Sequence, residues 1–478
     1  MAEFLEQSLV SFRKCFTRGA SFRWFAIIVT ALILRLDTLG VTSVIRALSL
    51  NHGCYDTMLH FFRSEAYSTQ GIRLAWYELV RERAPFFREG NRVILVGDGV
   101  KQCKEGLYMP GVKKLHQESE DSSKAEYIFG HLFGATGVLI GNPDYFLCLP
   151  LHMSIQDGIS AAALWKDSTI SAENHVLQMI GNGYEAAMYL GRSIMLLDRY
   201  FLTSTALKKL KELNTSESGQ LLDIVTMAKR NCRAYEKPVP RSPGQRGRPR
   251  KKGAPVILND LFKSRANDFT EKTMKLYDGN RVVRYLSIDL LWGQGIYQQM
   301  RFALVVYEDG RQSILASTDT DLSPETIIRL YSYRFKIERS FREFKQQFGG
   351  FGYHFWTRAS GKLNHFKRKE EPDRMELIHD PKDQKKVLKT IDAIERFVQL
   401  SCFAMGLTQM MIFLVTDTKK IRSCRYLRTC RSDRISEATL LVYLRQTLLL
   451  SLLSKPESML ARFIRQLRQG KIDLDDAA

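Results

Sequence analysis

The chain has 478 residues, with 71 Lys plus Arg against 51 Asp plus Glu, and so a formal net charge of +20. Its 45% hydrophobic and 26% charged residues are ordinary for a globular protein, which excludes wholesale disorder and collagen-like structure. The length allows roughly three domains, and the positive surplus favours a polyanionic partner, nucleic acid or an anionic membrane.

Eight cysteines (15, 54, 103, 148, 232, 402, 424 and 430) are scattered with no C-x-x-C pair, which argues against a disulfide framework or zinc ribbon and suits a reducing cytosol. His52, Cys54 and His60 are the nearest approach to a metal cluster and read as ordinary residues of a helical region. The run Ala26 to Leu34 is too short to span a bilayer. The uncharged stretch Phe397 to Thr416 is long enough, but it carries Gln399, Ser401, Thr408 and Gln409 and reads as a buried core helix. Glu3 and Glu6 make a poor signal peptide, so the expectation is a cytoplasmic protein without membrane attachment.

In chain order, residues 1–88 read as helices, with apolar positions such as Val29, Leu32, Ile33 and Leu36 at helical spacing. Thr38 to Phe62 suits helix, short turn, helix, either a DNA reader or one of many similar helical hairpins. From Asn91 the texture changes. Arg92 to Gly99 is a β-branched run that delivers Asp98 at its end, and a loop is expected from Val100 to Lys124. Gly137–Gly141 and Tyr145–Leu151 form two strands about the turn Asn142-Pro143-Asp144. A helix over 174–190, a strand Ser193 to Asp198, a helix over 204–213 and a strand over 221–228 complete an α/β region, 89–236.

Lys237 to Gly253 is rich in Pro, Gly, Arg and Lys and cannot form a core. Within it Arg246, Arg248, Arg250, Lys251 and Lys252 are candidate DNA contacts. Arg246-Gly-Arg-Pro-Arg250 suits an AT-hook-like strip in a narrow minor groove, or equally a solvated linker. With the alternating stretch from Arg281 to Thr318 it makes a basic linker and β-rich insertion, 237–320. Ser323-Pro324 starts a helix expected to run to about Gln347, inside a segment 321–385, and residues 386–478 read as helices ending in an acidic tail.

On a 3.6-residue wheel, Tyr331, Arg334, Glu338 and Lys345 fall within an arc of about 60°, beside an apolar stripe that includes Leu330, Ile337 and Phe344. Asp98 and Asp198 each end an apolar strand. Three carboxylates on neighbouring elements repel unless a divalent cation joins them, and magnesium takes such oxygen ligands; two ions can serve phosphodiester chemistry. Arg334, Lys345 and Tyr331 would then hold the phosphates of a DNA end.

Tyr331-x2-Arg334-x3-Glu338-x6-Lys345 resembles the Y-R-E-K signature of DDE transposases of the insertion-sequence-four group. Asp98 and Asp198 look like that group's two aspartate regions, although Tyr200 stands where the group often has a small residue. The resemblance covers roughly 91–355. It implies an α/β, ribonuclease-H-like catalytic core interrupted by the β-rich insertion, between helical N- and C-terminal regions. It also implies Asp98, Asp198 and Glu338 as catalytic and metal-binding residues for two magnesium or manganese ions. The activity implied is cut-and-paste transposition: binding of terminal inverted repeats in double-stranded DNA, strand cleavage through a hairpin, and strand transfer. A homodimer in the DNA complex is implied too, with residues 1–88 binding DNA, 386–478 at the interface, and a bacterial, nucleoid-associated setting. Hairpin formation needs a flipped base, and Trp292 is the candidate to stack it, with a core tryptophan the competing reading. Another ribonuclease-H-fold nuclease and a catalytically silent DNA-binding protein are the alternatives, and Asp223 and Asp319 are the reserve carboxylates.

Overall fold

The computed structural model describes residues 1–117, 125–216, 219–240, 248–277, 279–368, 370–425 and 434–469. The architecture is mixed α/β, with a large mixed sheet between helical terminal regions, consistent with the expected ribonuclease-H-like core. Arg246 and Gly247, the first two residues of the AT-hook-like strip, and the acidic tail lie outside the described residues. The chain divides into two compact units, one of 88–98 and 176–338, the other of 1–87, 99–175 and 339–478.

The first unit is built on parallel strands. Arg92–Cys103 enters it with residues 93–96 paired in parallel to Ser193–Leu196, which pairs in parallel with Leu222–Ala228. All four residues of Ser193–Leu196 are buried, as expected of a strand covered on both faces. Helices His175–Leu190 and Ser204–Asn214 flank this strand in sequence, and the Thr203 hydroxyl caps the second by accepting from Ala206 N. The β-rich insertion then extends the same sheet: Gln312–Ser317 adds antiparallel to Leu222–Ala228, followed by Gln298–Tyr307 and Gly279–Trp292. An insertion that joins the core sheet buries its strands Phe302–Val305 against core residues, so it needs no hydrophobic centre of its own.

In the second unit, Lys104 N donates to Phe129 O, bringing Tyr127–Asn142 alongside the end of the Arg92–Cys103 strand. Tyr127–Asn142 forms a hairpin with Tyr145–Ile155, and Asn142 Oδ1 accepts from the backbone of Asp144 and Tyr145 in the expected turn. The loop expected over 100–124 is in part strand, since Val100–Cys103 continues its strand and Lys113–His116 pairs with the hairpin.

The apolar run at 397–416 lies, up to Ile412, in one long helix, Pro381–Ile412, buried on all sides from Phe397 to Ile412. Its polar donors have internal partners: Gln399 donates to Leu151 O at 3.0 Å, Gln409 to Cys148 O at 3.2 Å, and Ser401 and Thr408 to their own helix backbone. Gly406 admits Trp76, whose indole an added Cβ would meet at 2.4 Å. Among the described residues no helix is long and apolar enough to cross a membrane.

Candidate active site

Register places the aspartates. Val96 lies opposite Leu196 at the last pair of the parallel ladder; two residues further on, Asp98 lies within the strand Arg92–Cys103 and Asp198 just beyond the end of Ser193–Leu196. The C-terminal end of parallel strands is where open α/β sheets hold their ligands. Thr226 of the next strand donates to Asp198 O at 2.9 Å and fixes where that strand ends. Gly97 is required beside them: a Cβ there would meet Met195 Cε at 2.5 Å, Met179 Sδ at 2.7 Å and Leu197 Cδ2 at 2.8 Å.

The third carboxylate comes from the Ser323-capped helical segment. This is not the single helix expected: Pro324–Ser332 gives way to a 3-10 turn, Tyr333–Phe335, before Lys336–Gln346 resumes. The tighter turn rotates Arg334 relative to a uniform 3.6-residue wheel. Arg334 then reaches two carboxylates. Its Nη1 donates to Asp98 Oδ2 at 3.0 Å and its Nη2 to Glu338 Oε1 at 2.6 Å. Arg334 and Asp98 side chains are only 18% and 21% exposed, whereas Glu338 is 58% exposed.

Burial alone would disfavour the Arg334 charge, but Asp98, Tyr331, Glu338 and Asp198 together outweigh it and hold the guanidinium above its ordinary value. Burial raises the Tyr331 phenol; Asp198 adds to that effect and Arg334 opposes it. The structure therefore gathers Asp98, Asp198, Tyr331, Arg334 and Glu338 electrostatically in one unit.

Among the described residues no three His, Cys, Asp or Glu side chains converge closely enough to hold a metal ion, and this includes His52, Cys54 and His60. Between Asp98 and Glu338 the cation present is Arg334. Chemically the donor set suits magnesium or manganese, being carboxylate oxygens alone.

The other candidate residues are placed as follows. Lys345 belongs to the second unit, exposed, with its Nζ 3.5 Å from Lys101 O. Trp292 is half-buried at the end of its strand, and its Nε1 donates to Cys232 Sγ at 3.1 Å. Arg248, Arg250 and Lys251 are exposed, and Lys252 Nζ stands 3.8 Å over the Tyr235 ring.

The reserve carboxylates lie at the other end of the strands. Asp223 is opposite Ile194, at the start of the parallel ladder, with Arg192 at 3.6 Å and the Thr318 hydroxyl at 3.0 Å. Asp319 pairs with Arg92. Both are buried, and burial, followed by the charge of Asp319, raises the Asp223 carboxyl above its usual range. Sequence reasoning missed these pairs. The available signal was an arginine at the start of each core strand, Arg92 and Arg192, six residues ahead of each site aspartate.

A family model described as DDE superfamily endonuclease matches residues 11–281, more than half of the chain; the match contains Asp98 and Asp198 and ends before Glu338. No curated protein matches the sequence. Among solved structures the chain is similar to the piggyBac transposase in its synaptic complex with hairpin DNA, at a TM-score of 0.32 and 12% identity, over 99% of this chain and 81% of that one.

Proposed function

The chain belongs to the DDE superfamily endonuclease family, and from that premise we propose that it is a cut-and-paste DNA transposase of the insertion-sequence-four group. The observation that carries the reading is the pairing of Asp98 and Glu338 through Arg334, with Asp198 beside Asp98 in register.

In this reading Asp98, Asp198 and Glu338 are the residues that would hold two magnesium or manganese ions. When bound, these supply Lewis-acid activation of the attacking oxygen and stabilisation of the leaving one. The chain's own residues do the rest. Arg334 neutralises Asp98 and Glu338 and offers its guanidinium to a phosphate oxygen of the DNA end. Tyr331, kept protonated by burial and by Asp198, donates a hydrogen bond from the same face. Lys345 and the basic residues 246–252 add phosphate contacts, and Trp292 stacks a flipped base during hairpin formation. Residues 1–88 bind the terminal repeats, and the helices of 386–478 pair two copies on two DNA ends.

The test is strand cleavage of a duplex carrying the element's own terminal repeat. Asp98→Asn, Asp198→Asn and Glu338→Gln each remove a metal-binding charge while keeping shape. Each should abolish cleavage in magnesium and leave duplex binding largely intact. A variant that cleaves like the wild type would remove that residue from the catalytic set. Cleavage without strand transfer would favour a ribonuclease-H-fold nuclease.

A further inference from the structure

The β-rich insertion does more than extend the sheet, because it also holds the run of chain that carries Arg334 and Glu338. In its antiparallel ladders Thr270 lies directly opposite Tyr285, and Arg301 directly opposite Asp289. Opposed residues share a face of a sheet, and so do residues two apart along a strand. Lys272, Tyr285, Asp289 and Arg301 therefore project from one face of the insertion. The helix Pro324–Ser332 packs against these strands, with Ile327, Ile328 and Leu330 buried.

That face grips the chain on both sides of the helix cap, Ser323. Before the cap, Arg301 is fixed to Asp289 by two parallel hydrogen bonds, Nε to Oδ1 at 2.8 Å and Nη2 to Oδ2 at 2.9 Å, and its Nη1 donates to Leu322 O at 2.9 Å. After the cap, Glu325 Oε1 accepts from the Tyr285 hydroxyl at 2.7 Å and from Lys272 Nζ at 3.1 Å. Tyr285 is 8% exposed, and its hydrogen bond is the largest reason that the Glu325 carboxyl is held down to about 2. Glu325 is therefore an anion, and a strong acceptor, throughout the neutral range.

A third contact falls on the 3-10 turn itself. Tyr277 directly follows the strand Thr270–Leu276, and its ring centroid lies 5.8 Å from that of Phe335, the neighbour of Arg334. The insertion thus touches the run at Leu322, Glu325 and Phe335. Two of these contacts bracket the cap and the third lies in the turn, the points that fix where a helical run starts and where it bends. Glu325 precedes Glu338 by thirteen residues, roughly 20 Å of helix, so its effect there can only be one of placement.

We propose that the insertion is the positioning frame of the catalytic helix, with Tyr285 and Glu325 as positioning residues that act on strand cleavage through the place they give Arg334 and Glu338. This role rests on the reading of Glu338 as a metal-binding carboxylate. It assigns the insertion a part in the chemistry that needs no contact between the insertion and DNA.

The experiment measures single-turnover cleavage of a terminal-repeat duplex by the full-length protein, at saturating duplex, across a magnesium titration and below the melting temperature of every variant. Tyr285→Phe, which keeps the buried ring, and Glu325→Ala should each lower the rate at saturating magnesium roughly 10- to 100-fold, the scale of loss for a displacement of up to about 1 Å. Both should raise the magnesium concentration that gives half the rate, and neither should change duplex affinity in EDTA. Glu325→Gln, which keeps an oxygen for the Tyr285 hydroxyl, should recover most of the rate. The double variant Tyr285→Phe with Glu325→Ala should be no slower than the slower single one, since both break the same hydrogen bond. Wild-type cleavage by the two single variants would overturn the proposal, and so would a loss that excess duplex restores or that Glu325→Gln shares in full. Glu338→Gln is measured alongside: its normal cleavage would defeat the catalytic reading itself, whereas an inactive Glu338→Gln beside fully active Tyr285→Phe and Glu325→Ala would defeat the positioning role alone.

Discussion

Replacing Arg334 by alanine should weaken the fold in a way that another cation can restore. At 3.0 Å from Asp98, an effective dielectric of about 20 gives about 5 kcal/mol of gross attraction. Desolvation of two side chains that are both about four-fifths buried offsets more than half of it, leaving about 2 kcal/mol. The Glu338 arm is 58% exposed and adds at most about 0.5 kcal/mol. Urea unfolding in EDTA of the wild type, Arg334→Ala, Asp98→Asn and the double variant gives the coupling directly, expected at about 1–2 kcal/mol. Without its guanidinium the variant retains Asp98 and Glu338 facing each other. Millimolar magnesium should therefore stabilise Arg334→Ala more than the wild type, where Arg334 competes for the same oxygens. A coupling below about 0.5 kcal/mol, or equal magnesium stabilisation of both proteins, would refute the view that Arg334 is the resting counter-ion of the site.

Two further predictions concern the basic segment and a buried carboxyl. Neutralising the six Arg and Lys residues of 241–252 should lower the slope of log affinity against log salt by up to about 0.9 per lost phosphate contact. Equal weakening on A·T-rich and G·C-rich duplexes would identify general attraction, a loss confined to A·T-rich DNA would identify minor-groove reading, and an unchanged slope would show no contact. Glu395 accepts from Ile155 N at 2.9 Å, and burial pushes its carboxyl up to about 7. Its contribution to stability is thus complete below its ordinary value of 4.5 and lost as pH rises through about 7. Glu395→Gln, which keeps an acceptor for Ile155, should stabilise the protein by about 2–3 kcal/mol at pH 8 and leave it nearly unchanged at pH 4, read by thermal unfolding at the two pH values. The same gain at both pH values would show that its charge is irrelevant.

The strands that carry the aspartates were legible because parallel strands covered on both faces are written as unbroken apolar runs, as in Val93–Val96 and Ile194–Leu197. The helix at 324–346 was legible from Ser323 and Pro324, but its 3-10 interruption was not, since nothing in Tyr333-Arg334-Phe335 departs from helical spacing. The extension of Arg92–Cys103 through Lys101 and Gln102 was hidden because these positions are polar and half exposed, where hydrophobic alternation gives no signal. The loop at Lys104–Met109 carried no motif at all. Its order comes from partners some 250 residues away, and separations of that size leave no mark on a local pattern.

The matched strands impose a rule of length on this part of the chain. Arg92 opens one strand and Asp98 follows it within that strand, while Arg192 and Asp198 bracket the neighbour, each pair six residues apart. The arginine ends are tied down by Asp319 and Asp223, so neither strand can slide to absorb an added or missing residue. Because successive side chains alternate between faces, one residue gained or lost between an arginine and its aspartate would send that carboxylate to the opposite side of the sheet. Substitution among the apolar residues between them is comparatively free. Variation in length is not, and a library that tolerates the first should be empty of the second.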